Sequence, residues 1–331
     1  MKKLAFIHCI ENKHQRMYER QSWLFTETFK QTNRDIYNNS NHYFLQPTAV
    51  DIAPQTINYF QQNDVNFNKV LDLEQKQVNS EINYTNMCIA AEYYSRTLDE
   101  EYMCWSDTDV LWLNKTDSGN FFKETTTPVI NSFPLRSMPR KSYAMHEFGA
   151  FDIGCQLDQV YQNHLKEHLS DEFRVEELTH YVNTWFIYAP TKHKFWSEWK
   201  QLTFRLLDIV QAQSQVEIEY HIESFCEEIA ASIMYCKAPE EFTLSEDFFG
   251  DIFVMRDTGN DKYDIFTENK VLYHYTGLLN KPYEIIDDTA NASTIVMKFL
   301  TEASKIGHFH YDSTMMMKLF KNYVGKSRGE K

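Results

Sequence analysis

The alternation of apolar, strand-like runs with helix-like segments over the first 110 residues is the feature that most constrains the fold. Strands are predicted at residues 4–10, 42–45, 68–73 and 102–106, and helices at 13–32, 54–62 and 82–98. The first run, Leu4 to Ile10, is almost continuously apolar, which indicates a buried strand. Strands that alternate with helices predict an α/β chain with a mostly parallel central sheet flanked by helices on both faces.

The rest of the chain continues with a mixed pattern. Further strands are predicted at residues 127–133, 183–189 and 271–275, and helices at 157–170, 191–213, 217–236 and 292–306. No linker-like stretch divides the chain, which contains only 9 Gly and 8 Pro. We therefore expect a single domain over 1–290, with halves at 1–115 and 116–290, and a C-terminal helical extension over 291–331 with a frayed end.

Composition and charge narrow the classes of function. With 43% hydrophobic residues in 331, the chain is globular rather than disordered. A formal net charge of −14 argues against a nucleic-acid partner or an anionic membrane surface, because both favour clustered Lys and Arg. The six Cys form no Cys-x-x-Cys pair, and no apolar run has the length of a transmembrane segment. We expect a cytoplasmic protein with reduced thiols.

The predicted fourth strand, 102–106, ends abruptly in Asp107-Thr108-Asp109. Residues i and i+2 of an extended chain project to the same side, so both carboxylates can reach one small region. In a mostly parallel sheet, ligands gather at the carboxyl ends of the strands. Two fixed carboxylates there suit a hard dication such as Mg²⁺ or Mn²⁺. The alternative is a solvated strand-to-loop transition.

The late strand carries a second motif, in which residues 273–283 read Tyr-His-Tyr-Thr-Gly-Leu-Leu-Asn-Lys-Pro-Tyr. With the Asp-x-Asp, it resembles the nucleotide-sugar glycosyltransferases of the GT-A fold. Within them, it is similar to the His-x-x-Gly-x-x-Lys-Pro-Trp signature of the retaining family that includes glycogenin. One extra residue precedes Lys281, and Tyr283 replaces the Trp. The strand Asn183-Thr184-Trp185 is similar to the family's Asn-Ala/Thr-Gly strand, with Trp185 in place of glycine.

The resemblance implies a GT-A-like, Rossmann-type sheet with a helical or mixed elaboration on the acceptor side. It also implies metal-dependent transfer of a sugar from a nucleotide diphosphate sugar, most simply a UDP-sugar, to a hydroxyl acceptor such as a glycan, with retention favoured. Asp107, Asp109 and His274 would ligate the metal, and the motif of Gly277 and Lys281 would bind the diphosphate. An imidazole ligand favours Mn²⁺ over Mg²⁺.

Three further residues are candidates for donor binding. Arg96, at the end of the helix before the Asp-x-Asp strand, either reaches the phosphates or caps that helix. The nucleobase is expected near the ends of the first and third strands, against residues such as Ile10 and Asp72. This expectation comes from the fold alone.

The acidic segment 217–228 opens a predicted amphipathic helix. Many GT-A enzymes place a carboxylate at the start of a comparable helix, facing the acceptor hydroxyl, and Glu227 or Glu228 would occupy that place. In an inverting enzyme it would be the general base, and in a retaining enzyme it would orient the acceptor or the donor sugar. A solvent-facing acidic helix is the alternative.

Two other classes of protein remain open. Haloacid-dehalogenase-type phosphatases also place Asp-x-Asp after an apolar strand, where the first Asp attacks phosphorus with Mg²⁺ assistance. That strand usually opens its domain, whereas here about 100 residues precede Asp107. A non-catalytic carbohydrate- or protein-binding module would also account for the abundant aromatic residues.

Overall fold

A computed structural model describes most of the first half of the chain and parts of the second. The described residues are 3–10, 15–46, 52–69, 85–112, 115–116, 122, 124–134, 178–212, 226–244, and short strands at 249–251, 255–257, 263–266, 272–274, 279–281, 310–312 and 326–327. The side chains of residues 15–17, 133, 134, 210 and those after 244 are outside this description.

A seven-stranded sheet with the order β3-β2-β1-β4-β7-β6-β8 forms the centre of the fold. Its strands are β1 Leu4–Cys9, β2 Ser40–Gln46, β3 Val65–Lys69, β4 Tyr102–Ser106, β6 Val129–Pro134, β7 His180–Pro190 and β8 Thr243–Leu244, while β5 Val110–Trp112 belongs to a smaller sheet. The first four strands of the order are mutually parallel, and β7 runs antiparallel to β4 and β6. The predicted mostly parallel α/β sheet is confirmed.

Helices cover both faces of the sheet. They are α1 Gln15–Thr32, α2 Arg34–Asn38, α3 Pro54–Gln62, α4 Thr85–Thr97, α5 Phe195–Ala212 and α6 Cys226–Lys237. Strand β1 is buried throughout, and its side chains pack on both faces of the sheet. Phe6 packs with the aromatic residues of α1, whereas Ala5 and Ile7 pack with α4 and α5. This alternation follows from the two-residue period of a strand.

The α1 side of the sheet is packed largely with aromatic rings. Phe29 of α1 stacks on Trp112 of β5 with ring centroids 3.8 Å apart, and Phe6 meets both rings edge to face. Burying each such side chain stabilises the fold by about 1.5–3 kcal/mol. Helix α1 is therefore held firmly beside the segment that follows β4.

Several predicted boundaries agree with the structure and others do not. The strand predicted at 183–189 spans His180–Pro190, and the helix predicted at 191–213 begins only at Phe195. Strand 102–106 and helix 54–62 have the predicted ends, and Pro54 occupies the first turn of its helix, where a missing N–H costs nothing. The predicted start of the third strand, residue 68, is wrong. The strand begins at Val65, which is buried and pairs with His42, whereas the prediction followed the apolar residues after Lys69.

Short strands form three additional sheets. They are β9 Phe249–Asp251, β10 Met255–Asp257, β11 Tyr263–Phe266, β12 Leu272–His274, β13 Leu279–Lys281, β14 His310–Asp312 and β15 Lys326–Ser327. The sheets have the orders β10-β11-β14, β5-β12-β9 and β13-β15. Two of these strands, β14 and β15, lie within the predicted helical extension.

Helices predicted at 157–170 and 292–306 lie outside the described residues, and the division into domains stays a prediction. No helix in the part of the chain that the structure describes is long and apolar enough to cross a membrane.

Candidate functional site

The Asp107-Thr108-Asp109 turn lies at the carboxyl end of β4, as predicted. The backbone N–H of Asp107 donates a hydrogen bond to the carbonyl oxygen of Trp185 in β7 (2.8 Å). The indole N–H of Trp105 donates to Oδ1 of Asp107 (3.2 Å). Asp107 and Asp109 are both partly exposed, so their carboxylates lie at the edge of the sheet rather than inside it.

Thr108, between the two aspartates, is buried. Its hydroxyl donates a hydrogen bond of 2.9 Å to Oε1 of Gln21, a buried residue of α1. The two carboxylates therefore flank a side chain that is fixed to the neighbouring helix.

His8 of β1 holds the backbone just before the turn, since its Nδ1 lies 2.8 Å from the carbonyl oxygen of Ser106. Its ring is fully buried, with centroids 4.4 Å from those of Phe25 and Phe44. This burial lowers the pKa of His8 to about 3. The imidazole is therefore neutral near pH 7 and carries its proton on Nδ1, because a carbonyl oxygen can only accept.

The three-stranded sheet β5-β12-β9 brings His274 to the same region. In the antiparallel pairing of β5 and β12, His274 is opposite Val110, the residue after Asp109. Asp251 of β9 is opposite His274 in the parallel pairing on the other side of β12. The fold thus places the backbone of His274 beside the Asp-x-Asp turn. Among the side chains that are described, no three His, Cys, Asp or Glu residues form a group that could hold a metal ion.

The structure distinguishes the two candidate glutamates in the first turn of α6. The hydroxyl of Tyr181 donates a hydrogen bond to Oε2 of Glu228. Glu227 is 2% exposed, and its Oε2 has no hydrogen-bond partner. The indole of Trp199 donates to the backbone carbonyl of Glu227 (2.8 Å), which fixes the start of the helix.

The environment of Glu227 raises the pKa of its carboxyl well above the usual value. Burial is the main cause, and the negative charges of Glu228 and Asp107 add to it. The contribution of Asp107 means that Glu227 lies within electrostatic range of the Asp-x-Asp turn. A buried carboxyl with one unpaired oxygen and a raised pKa is a recurrent property of functional sites.

The structure does not bring Arg96 to the aspartates. Its guanidinium is exposed and forms an ion pair with Glu92 of the same helix (2.7 Å), and Lys192 donates to its backbone carbonyl. The end of α4 lies at the amino edge of the sheet, because the chain enters β4 from there. Of the two readings of Arg96, the structure supports a local role at the helix end.

The remaining donor-site candidates are placed only in part. Ile10 is buried just past β1, and its N–H donates to the Leu45 carbonyl (2.9 Å), so it lies at the predicted edge. Lys281 is the last residue of β13, opposite Lys326 of β15. Asp72 and Gly277 lie outside the described residues.

Sequence reasoning missed the residues that hold the turn in place. Gln21 and His8 are polar side chains at buried positions of a helix and a strand. The available signal was a polar residue among apolar ones at a position facing the core, which requires a hydrogen-bond partner. Asp251 gave no such signal, because only strand pairing places it next to His274.

No protein-family model and no curated protein sequence matches the chain. Among solved structures, it is similar to the apo structure of WbbM, a bifunctional glycosyltransferase (11% identity, TM-score 0.46), over 89% of this chain and 51% of that one. It is also similar to the apo form of the glycosyltransferase GlyE from Streptococcus pneumoniae TIGR4 (14%, TM-score 0.37), over 74% and 45% of the two chains. A third similar structure is core-mannan synthase A (CmsA/Ktr4) from Aspergillus fumigatus in its Mn/GDP form (10%, TM-score 0.42), over 74% and 73%. The chain spans about half the length of the first two.

Proposed function

We propose that this chain is a metal-dependent glycosyltransferase that transfers a sugar from a nucleotide diphosphate sugar, most simply a UDP-sugar, to a hydroxyl of a glycan or similar acceptor. One observation carries the proposal. Three segments far apart in the sequence lie near the carboxyl end of β4: the turn from Asp107 to Asp109, the first turns of α6, which are hydrogen-bonded to the start of β7, and the backbone of His274.

The residues at this edge fit a divalent cation. Asp107 and Asp109 offer partly exposed carboxylates on a turn that is fixed on both sides, and His274 is in register beside it. Oxygen ligands suit Mg²⁺ or Mn²⁺, and an imidazole ligand favours Mn²⁺. When bound, such an ion would neutralise negative charge on the diphosphate leaving group.

The donor would lie along the carboxyl ends of the parallel strands. Strands β1 and β4 are hydrogen-bonded neighbours, so Ile10 and Asp107 follow adjacent strand ends. Ligands bind in this crevice in open α/β sheets. The nucleobase is accordingly assigned to the side of Ile10 and Asp72. The assignment of the diphosphate to Lys281 and Gly277 comes from the late-strand motif alone.

Glu227 is the proposed acceptor-side carboxylate. The carboxylate of Glu228 already accepts a hydrogen bond from Tyr181. Glu227 has one carboxyl oxygen without a hydrogen-bond partner, and the negative charge of Asp107 contributes to its raised pKa. Its raised pKa makes the deprotonated carboxylate a stronger base than an ordinary glutamate. In an inverting reaction Glu227 would remove the acceptor proton, and in a retaining reaction it would orient the acceptor. The late-strand motif favours retention, and an NMR assignment of the product anomer decides between the two.

The site is tested by nucleotide binding. Thermal unfolding of the wild type is followed with nucleoside diphosphates and their sugars, with and without Mn²⁺. At a ligand concentration about 100-fold above Kd, mass action predicts stabilisation of about 2.7 kcal/mol. Asp107→Asn and Asp109→Asn should lose the Mn²⁺-dependent part of this stabilisation, because each removes an anionic ligand while keeping the shape of the side chain.

Asp99→Asn is the matched control, since Asp99 is exposed in the loop that enters β4 at the opposite edge. It should bind like the wild type. The proposal is wrong if both site variants keep wild-type Mn²⁺-dependent affinity. It is also wrong if the protein hydrolyses simple phosphomonoesters and ignores nucleotide sugars, which would indicate the phosphatase class.

A further inference from the structure

We propose that Gln21 is a positioning residue that sets the affinity of the Asp107–Asp109 turn for a divalent cation, acting through the hydroxyl of Thr108. The inference rests on the proposed function, because it concerns the metal site assigned there. It adds a residue from α1, 87 positions away from Thr108 in the sequence.

The contact between the two residues is buried and directional. Each is 4% exposed, and the Thr108 hydroxyl donates to Oε1 of Gln21 over 2.9 Å. A buried hydrogen bond of this kind holds one rotamer, because no water can replace either partner. The amide of Gln21 therefore fixes the orientation of Thr108.

Fixing Thr108 fixes both neighbouring carboxylates. Three hydrogen bonds hold consecutive residues of this segment. The ring of His8 bonds the Ser106 carbonyl, the Trp185 carbonyl bonds the Asp107 N–H, and the amide oxygen of Gln21 bonds the Thr108 hydroxyl. The first two lie on or before Asp107, whereas the third lies between the carboxylates. Rotation of the backbone at Thr108 would change the distance between Asp107 and Asp109, which a shared cation requires to be constant. Outer partners that orient metal ligands have this role in many metal sites.

Helix α1 also contacts the chain beyond the turn. The N–H of Trp112 donates to Oγ1 of Thr28 in α1 (3.2 Å), and the N–H of Thr116 donates to Oδ1 of Asn33, the residue after α1 (2.8 Å). These contacts hold the same segment against α1 and the residue that follows it, but they lie four and eight residues after Thr108. They supply a control, because breaking them loosens the packing of α1 without touching the turn.

The experiment compares Mn²⁺ binding and thermal stability in a small set of variants. Thr108→Val and Gln21→Met each remove one polar partner with little change in volume, Thr108→Ser keeps the hydroxyl, and Thr28→Val breaks the downstream contact. Electron paramagnetic resonance of free Mn²⁺, titrated in the presence of saturating UDP, gives Kd, and thermal unfolding gives Tm.

Thr108→Val and Gln21→Met should each weaken Mn²⁺ binding about 10-fold or more, the range seen when outer partners of metal ligands are removed. The double variant should bind no more weakly than the weaker single variant, since both break one contact. Thr108→Ser should bind like the wild type. Thr28→Val should lower Tm and leave Kd unchanged.

Wild-type Mn²⁺ affinity in both Thr108→Val and Gln21→Met would overturn the inference and leave the metal site intact. An equal loss of affinity in Thr28→Val would also overturn it, because the effect would then be general loosening. A wild-type protein that binds no Mn²⁺ even with UDP would overturn the inference together with the proposed function.

Discussion

The two edges of the central sheet differ in how their buried or partly buried charged side chains are paired. At the amino edge, several charged groups are paired: Arg96 with Glu92 (2.7 Å), Lys3 with Glu101 (3.3 Å), and Glu100 with Tyr43 (2.7 Å). Among the described residues at the carboxyl edge, Nε2 of His8, the amide of Gln46 and Oε2 of Glu227 are buried polar atoms without a hydrogen-bond partner, and Oγ1 of Thr191 is one at the amino edge.

This difference separates stability from function within one fold. An unpaired buried polar atom costs about 1–3 kcal/mol, so a sheet edge that contains several is less stable than it could be. Such costs are typical of sites that bind a ligand or carry out chemistry. The comparison predicts that substitutions at the carboxyl edge change function, and that removing the buried charge of Glu227 also increases stability, whereas substitutions at the amino edge change stability alone.

The largest effect is expected at Glu227. Glu227→Gln should lower the rate of sugar transfer about 10²- to 10⁴-fold, the contribution of a positioned acid or base. Glu228→Gln is the matched control and should lose far less, because Glu228 is bound to Tyr181. Steady-state rates of both variants, measured with the nucleotide sugar identified by binding, check this.

Glu227→Gln should also be more stable than the wild type at neutral pH. The folded-state pKa of Glu227 is raised above the usual 4.5, so the folded protein holds this proton more tightly than the unfolded chain. Its contribution to the free energy of unfolding is therefore largest at low pH and is lost as pH rises above 4.5. The neutral amide removes that loss. Equal stability of the two proteins from pH 4.5 to 8 would contradict this assignment.

The sequence predicted the position of the Asp-x-Asp turn because the signal was local. An apolar run that ends in two carboxylates marks the end of a buried strand, and Pro54 marks the start of its helix for an equally local reason. The role of Arg96 was ambiguous in the sequence. A basic residue is favourable at the carboxyl end of any helix, whether that end lies at the ligand-binding edge of the sheet or at the opposite one. Only the direction of the chain into β4 decides its place.

The contacts that specify the site could not be derived from the sequence. Glu227 and Glu228 are adjacent and chemically identical, and their difference depends on the side chains of Tyr181 and Asp107. The contact of Gln21 with Thr108 also joins distant segments. Burial and unpaired atoms are properties of the packed structure, and no periodicity in the chain encodes them.

A smaller effect, on the free energy of unfolding, is expected from the protonation of His8 at low pH. Its folded pKa is about 3, below the 6.5 of an ordinary histidine, so the unfolded chain binds the proton more readily. Stability is therefore present above pH 6.5 and falls as pH decreases toward 3, by about 2–3 kcal/mol between pH 7 and 4.5 from this group.

His8→Asn removes the titratable imidazole. From pH 7 to 4.5 this variant should therefore lose less stability than the wild type, although it starts from a lower stability at pH 7. Phe44→Leu weakens the packing around the ring without removing it and should keep the wild-type pH dependence. Urea unfolding at pH 7 and 4.5 gives the comparison. Equal acid losses in wild type and His8→Asn would show that His8 is not buried as described.

The smallest effect is expected at the amino edge, where Tyr43→Phe removes the hydrogen bond to Glu100. Glu100 also accepts a hydrogen bond from Asn41, so its buried carboxylate keeps one donor after the substitution. The cost should therefore be about 1–2 kcal/mol, the range for one hydrogen bond to a charged group. Urea unfolding at pH 7 measures it, while Mn²⁺ affinity and transfer rate should equal those of the wild type. A change in either functional quantity would mean that the two edges are coupled, and the separation of stability from function across this sheet would then be wrong.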